Sequence, residues 1–181
     1  MRAEASSIPD IVVFEPQVFG DARGYFFESY NQARLGDAIG RDVRFVQDNQ
    51  SGSARGVLRG LHYQIRQPQA KLVRVLSGEI FDVAVDIRRS SPHFGHWVGI
   101  MLSAENRRQL WIPEGFAHGF CVLSDFAEVL YKASDFYAPE HERCIRWDDP
   151  RLAIDWPLDG APLVSEKDRQ GAEFGAAEVF P

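Results

Sequence analysis

Alternation of apolar and polar residues with period two dominates the chain. The clearest run is 79–88, where Phe81, Val83, Val85 and Ile87 alternate with Asp82, Ala84 and Asp86. That pattern predicts a half-buried strand with one apolar face. By the same signal, bounded by Gly, Pro, Asp or Ser, strands are expected over 11–16, 25–30, 45–49, 57–64, 71–77, 96–102, 109–112, 115–123 and 128–135. Helical spacing is rare: one helix is expected over 32–39 and another opening at Ser165. About ten strands in one mid-sized domain imply an all-β sandwich, jelly roll or barrel. No repeat, low-complexity tract or linker divides the chain.

The 181 residues fit one domain, enough to bury roughly 70% of the unfolded surface without a metal or disulfide staple. The formal net charge of −6 argues against general nucleic-acid binding. It leaves room for an anionic small ligand held by a local arginine cluster. No apolar run approaches membrane length, and residues 1–10 lack the anatomy of a leader. Cys121 and Cys144 lie far apart with no metal spacing, as expected of reduced thiols in a reducing compartment. A soluble, cytoplasmic protein that binds neither nucleic acid nor membrane is expected.

Three short stretches carry candidate chemistry. Gly60, Leu61, His62, Tyr63 and Gln64 form a strand segment with a histidine in it; Lys71 opens the next strand, and Gly78, seven residues on, closes it in a turn. Farther along, Pro113, Gly115 and His118 give Pro-x-Gly-x-x-His, running into an apolar strand. Together these resemble the two motifs of the cupin fold, whose metal-binding members carry His-x-His, then a glutamate, then that glycine. Here the second histidine is Gln64 and the glutamate is Lys71, so only His62 and His118 remain of four ligands. Glutamine is a poor transition-metal ligand and lysine is a fixed cation. The site is therefore expected to hold no metal, with an ammonium placed to stabilise an oxyanion instead. Taken singly, His62 and Lys71 also fit an ordinary strand histidine and a surface lysine; the spacing and His118 favour the chemical reading.

The resemblance extends beyond a fold. Arg59-Gly60-Leu61-His62-Tyr63-Gln64, Gln69-Ala70-Lys71-Leu72-Val73-Arg74 and the stretch from Gln109 to Phe120 resemble the signatures of the dTDP-4-dehydrorhamnose 3,5-epimerase family. So do Asp21-Ala22-Arg23-Gly24-Tyr25-Phe26 with Glu28, Gln47-Asp48-Asn49, Tyr131-Lys132 with Tyr137, Glu142-Arg143 before Ile145-Arg146-Trp147, and Ser165-Glu166-Lys167-Asp168. They occur in the family's order from about residue 8 to residue 168.

The resemblance implies a cupin-type jelly roll in one domain, 1–181, with an N-terminal arm over about 1–30 shared between the subunits of a homodimer. It implies no cofactor, and as substrate a dTDP-4-keto-6-deoxy sugar. The reaction implied is proton exchange at C3 and C5, the carbons flanking the C4 ketone, giving dTDP-4-keto-L-rhamnose. Inversion needs a base on one face, an acid on the other and a cation at the developing enolate oxygen. The resemblance makes His62 the base, Asp168 its partner carboxylate, Lys71 the cation at the C4 oxygen and Tyr131 the opposite-face donor. From the residues alone, Ser165-x-x-Asp168 reads equally well as a helix cap, and Tyr131 as a strand tyrosine with a wet hydroxyl. Arg23 and Arg59 suit the pyrophosphate, because guanidinium forks match phosphate oxygens. Tyr137 would stack on the thymine, on the same face as Tyr131 if that strand persists. Glu28, Gln47, Asn49, His118, Glu142 and Lys167 match positions that line the family's pocket.

Strict alternation puts Arg59 and His62 on opposite faces, although both are wanted in one pocket; a bulge near Gly60 would reconcile them. The same alternation groups Phe116, His118 and Phe120. Cys144 stands where the family usually has glycine, and is expected to alter a turn beside Glu142. The tail after Asp168 receives no role. Rival readings are an epimerase acting at C3 or C5 alone, a related keto-isomerase, a non-catalytic sugar-nucleotide-binding cupin and a metal-dependent cupin oxygenase. The last two predict loss of the base or acid, or a fuller His/Glu set.

Overall fold

The computed structural model describes all 181 residues. The first strands are β1 (Arg2–Ala5), β2 (Val12–Glu15), β3 (Val18–Asp21), β4 (Gly24–Phe27), β5 (Gln47–Ala54) and β6 (Leu58–Gln64). There follow β7 (Lys71–Ser77), β8 (Glu79–Asp86), β9 (Trp97–Ser103), β10 (Gln109–Ile112), β11 (Phe116–Val122), β12 (Phe126–Ala133) and β13 (Glu142–Cys144). Helix α1 (Gln32–Ile39) lies between β4 and β5, and α2 (Glu166–Arg169) follows β13. Asn31 caps α1 by accepting from the Arg34 amide, and Gly40 ends it in the left-handed region.

Two antiparallel sheets face each other. One has six strands in the order β1-β2-β10-β7-β12-β5; the other has five, β13-β6-β11-β8-β9. This is the jelly-roll sandwich expected of a cupin. The hairpin β3–β4 forms a separate two-stranded ribbon. The expected bounds of β7, β10 and α1 match those observed, and the other expected strands are found close to their predicted ends, except that the strand expected over 45–49 runs from Gln47 on to Ala54. Three strands were not expected. β1 and β3 are exposed along their whole length, so neither carries the burial that imprints a period. β13 is too short to show one.

The space between the sheets is filled by Val73 and Val75 from β7, Ile80 and Ala84 from β8, Phe116 and Phe120 from β11, and Ala127 and Val129 from β12. The reading of 79–88 as a strand with one solvated face is corrected here. Asp82 and Asp86 are fully buried, on the inward face with Ile80 and Ala84. Each has partners: Asp82 bonds His118, while Asp86 accepts from Arg88 and Ser91. The opposite face, with Val83, Val85 and Ile87, is covered by Ile154, Trp156, Phe174, Ala177 and Phe180. The C-terminal tail therefore has a role that its composition hid. It roofs the second sheet, fixed by the Tyr63 hydroxyl donating to the Glu178 carbonyl at 2.6 Å and by the bond from the Arg89 amide to the Phe180 carbonyl at 3.0 Å.

Candidate active site

The pocket opens between the sheets and depends on an irregularity in β6. His62 pairs with His118 of β11, but Arg59 pairs with Phe120, so three steps on β6 match two on β11. This is the bulge needed to turn Arg59 and His62 into one cavity, and both line it. Gly60 sits in the bulge at φ +131°, and a Cβ there would lie 2.5 Å from the Gly119 Cα and 2.9 Å from the His118 carbonyl oxygen. A left-handed backbone and a close strand both require glycine. Gly60→Ala is expected to cost at least about 2 kcal/mol, read as a lowered midpoint in a thermal melt.

His62 faces Asp168 from α2, with Nε2–H donating to Oδ1 at 2.5 Å. A neutral ring with its proton on Nε2 keeps its basic lone pair on Nδ1. Ser165 caps α2 by accepting from the Asp168 amide at 3.1 Å. The two readings of Ser165-x-x-Asp168 are thus both realised, the backbone of Asp168 serving the cap and its carboxylate the histidine. Burial pushes the Asp168 carboxyl up, but bonds from His62, Ser165 and the Gly60 backbone outweigh it and hold the group below the usual carboxylate range.

The opposite wall comes from the first sheet. Lys71 opens β7 and Tyr131 lies on β12, on the inward face with Val73 and Val129. The Lys71 ammonium is 5.6 Å from the centre of the Tyr131 ring. Burial pulls the Lys71 pKa down to about 8, against the opposing pull of Asp82 and Glu142. Burial pushes the Tyr131 hydroxyl up, with Glu142 adding and Arg59 opposing, so it stays protonated. Between the walls, the His118 ring meets that of Tyr131 edge-on at 6.4 Å. His118 is buried and its Nε2 lies 3.0 Å from both Asp82 oxygens; burial lowers its pKa in spite of Asp82.

At the mouth, β12 ends at Ala133, so the strand does not persist to Tyr137. A loop carries that half-exposed ring into the cavity's lining instead. The loop is fixed by the Gln47 Oε1 accepting from the Tyr137 amide at 2.9 Å and by the Tyr137 hydroxyl donating to Glu142 at 2.6 Å. Lys167 pairs with Glu142 at 2.5 Å, and Gln47 donates to Asn49 at 2.9 Å. Gln47 and Lys167 therefore brace the lining residues Tyr137 and Glu142, and Asn49 braces Gln47; none of the three is itself in the lining. Gln64, at a cupin ligand position, donates to the Gln67 and Phe136 carbonyls and accepts from the Ala138 amide.

Arg23 and Glu28 are not brought into this chain's pocket. Arg23 sits at the tip of the β3–β4 ribbon, bonded to Asp21 with its side chain 89% exposed. Glu28 accepts from Asn31 and pairs with Arg34 at the start of α1. Sequence reasoning missed Asp82, Ser51 and Gln69. The signal for Asp82 was present: Ile80 and Ala84 share its face. Cys144 lies within β13, directly across from His62, so its departure from the family touches the histidine–aspartate pair and not a turn.

Fold and site together define a cupin-type sugar-nucleotide isomerase, with titrating groups on both walls of a jelly-roll cavity. The family model described as dTDP-4-dehydrorhamnose 3,5-epimerase matches residues 5–175. The dTDP-4-dehydrorhamnose 3,5-epimerase of Pseudomonas aeruginosa is 68% identical over 181 residues, covering 100% of both chains. The crystal structure of a Legionella pneumophila 3,5-epimerase in complex with dTDP-4-keto-L-rhamnose superposes with a TM-score of 0.95 at 52% identity, over 98% of this chain and 94% of that one. A dTDP-4-dehydrorhamnose 3-epimerase of Streptomyces niveus is 42% identical over 185 residues, covering 100% of this chain and 89% of its own. The chain belongs to the dTDP-4-dehydrorhamnose 3,5-epimerase family.

Proposed function

We propose that His62, Tyr131, Lys71 and Asp168 carry out the family's reaction in this chain. The reaction is epimerisation of dTDP-4-keto-6-deoxyglucose at C3 and C5 to dTDP-4-keto-L-rhamnose, a step of dTDP-L-rhamnose synthesis. His62 removes the proton beside the ketone, held and stabilised as imidazolium by Asp168. Lys71 stabilises the enolate oxygen at C4. Tyr131 returns a proton to the other face. The observation that carries this assignment is placement: His62 lines the cavity from one sheet, and Tyr131 and Lys71 line it from the facing sheet. A flat enolate held between the sheets meets a base on one side and an acid on the other. Arg59 serves the pyrophosphate, and Tyr137 stacks on the base at the mouth.

The test is deuterium incorporation into dTDP-4-keto-6-deoxyglucose in heavy water, read position by position by NMR with a reductase trapping the product. Exchange at both C3 and C5 is expected. Exchange at one carbon only would make the chain a mono-epimerase, and no exchange would remove the catalytic assignment.

The β3–β4 ribbon completes the site of a second copy in a homodimer. It stands apart from both sheets and exposes Phe19, Tyr25 and Phe26 at 55%, 65% and 72%, an apolar surface that an isolated chain leaves wet. Light scattering is expected to give a dimer, and Arg23→Ala to raise KM at least about tenfold at nearly unchanged kcat. A monomer at working concentration would sink the shared arm.

A further inference from the structure

The cysteine that departs from the family pattern has a partner set of its own. Cys144 and His62 are cross-strand neighbours in the β13–β6 ladder, where directly opposed side chains start about 5 Å apart. The Cys144 Sγ is 4.0 Å from the Asp168 Oδ1. One ligand atom from each of His62, Cys144 and Asp168 lies within 4.8 Å of the others. Nitrogen, sulfur and carboxylate oxygen are the donor types of zinc sites, and around a tetrahedral ion such atoms stand roughly 3.3–3.6 Å from one another. The observed contacts bracket that spacing. The His62–Asp168 contact at 2.5 Å must open by under about 1 Å, while the sulfur moves inward. The His62 side chain is 29% exposed and lines the cavity, which gives the ring room to shift and leaves a fourth position to water.

We propose that His62, Cys144 and Asp168 form an inhibitory site for a soft divalent cation of the zinc class, whose capture shuts off epimerisation by occupying the base. Capture stands on the geometry alone; the shut-off rests on the reading of His62 as the base. Binding removes the thiol proton to solvent and shifts the ring proton from Nε2 to Nδ1, which takes up the lone pair the base would use; thiolate plus carboxylate then neutralise the ion. In the empty protein, burial and the Asp168 charge push the Cys144 thiol up to about 12, with Lys167 opposing and Glu142 adding. Capture must therefore displace that proton and strengthens as pH rises. Glu142, on the same strand, is engaged by Lys167 and Tyr137 and does not compete for the ion.

The test uses the full chain with Zn2+ by calorimetry and Co2+ by absorption. One ion per chain is expected, with a thiolate-to-cobalt charge-transfer band and a loss of turnover that a chelator reverses. Cys144→Ser and Cys144→Gly are expected to keep basal turnover, lose the band and bind at least about tenfold more weakly. The serine variant guards against loss of the strand in the glycine one. Equal affinity in wild type and both variants, or no binding up to about 1 mM, overturns the site. Binding with the cobalt band but undiminished turnover keeps the site, overturns the shut-off and counts against His62 as the base.

Discussion

His62→Ala is expected to lower kcat by at least about a thousandfold while changing the affinity for a dTDP-sugar by less than about threefold. The asymmetry follows from the placement of the groups. Contacts proposed for the nucleotide and pyrophosphate come from Arg59, Tyr137 and the arm, none of which touches the His62 ring. The ring's recorded partner is Asp168, so its removal takes away proton transfer and little binding. Deleting it also leaves the Asp168 carboxylate, 4% exposed, without its main neighbour, so some loss of stability is expected. Circular dichroism and a thermal melt separate that loss from chemistry. A folded His62→Ala protein with near-normal turnover would remove the residue from the role of base.

How far the site was legible in the sequence depended on whether a residue acts alone or through a neighbour. β7, β10 and α1 were read to the residue because turn or cap residues bound short runs of consistent character: β10 is buried at every position, β7 is largely buried up to the turn at Gly78, and Asn31 and Gly40 bracket α1. The hidden strands β1 and β3 have no buried side; they exist through backbone pairing, which leaves no mark on residue type. The bulge at Gly60 was legible as a conflict, since two wanted side chains fell on opposite faces. Asp82 was misread because alternation fixes which residues share a face but not whether that face meets water. What covers a sheet is decided by distant chain, and here Ala177 and Phe180 bury the side that the pattern had already assigned to the core. Gln47, Asn49 and Lys167 were placed near the pocket by resemblance; in the fold Gln47, bonded to Asn49, holds the Tyr137 amide, and Lys167 pairs with Glu142. Only the fold distinguishes a lining residue from a brace.

Lys71→Met is expected to separate stability from activity in opposite directions. The ammonium is buried at 8% exposure, and burial holds its pKa at about 8 against an ordinary 10.5. That difference corresponds to a cost on the order of 3 kcal/mol for keeping the charge in the folded chain at neutral pH. Methionine matches the stem without the charge, so the variant is expected to melt roughly 5 °C higher at pH 7. Its kcat is expected to fall by about a hundred- to a thousandfold, the loss typical of removing one donor from a developing oxyanion. Because the folded pKa lies below the unfolded one, the penalty on the wild type is fully present below about pH 8 and is relieved as pH rises toward 10.5. The melting gap between variant and wild type should therefore close across that window. Wild-type turnover should decline as the pH passes about 8, where the ammonium is lost, and the variant should lack that alkaline limb. A gap that stays constant with pH would mean that Lys71 holds its proton equally well in the folded and the unfolded chain, so that burial does not lower its pKa. An unchanged kcat in the methionine variant would mean that the enolate draws its stabilisation from another group.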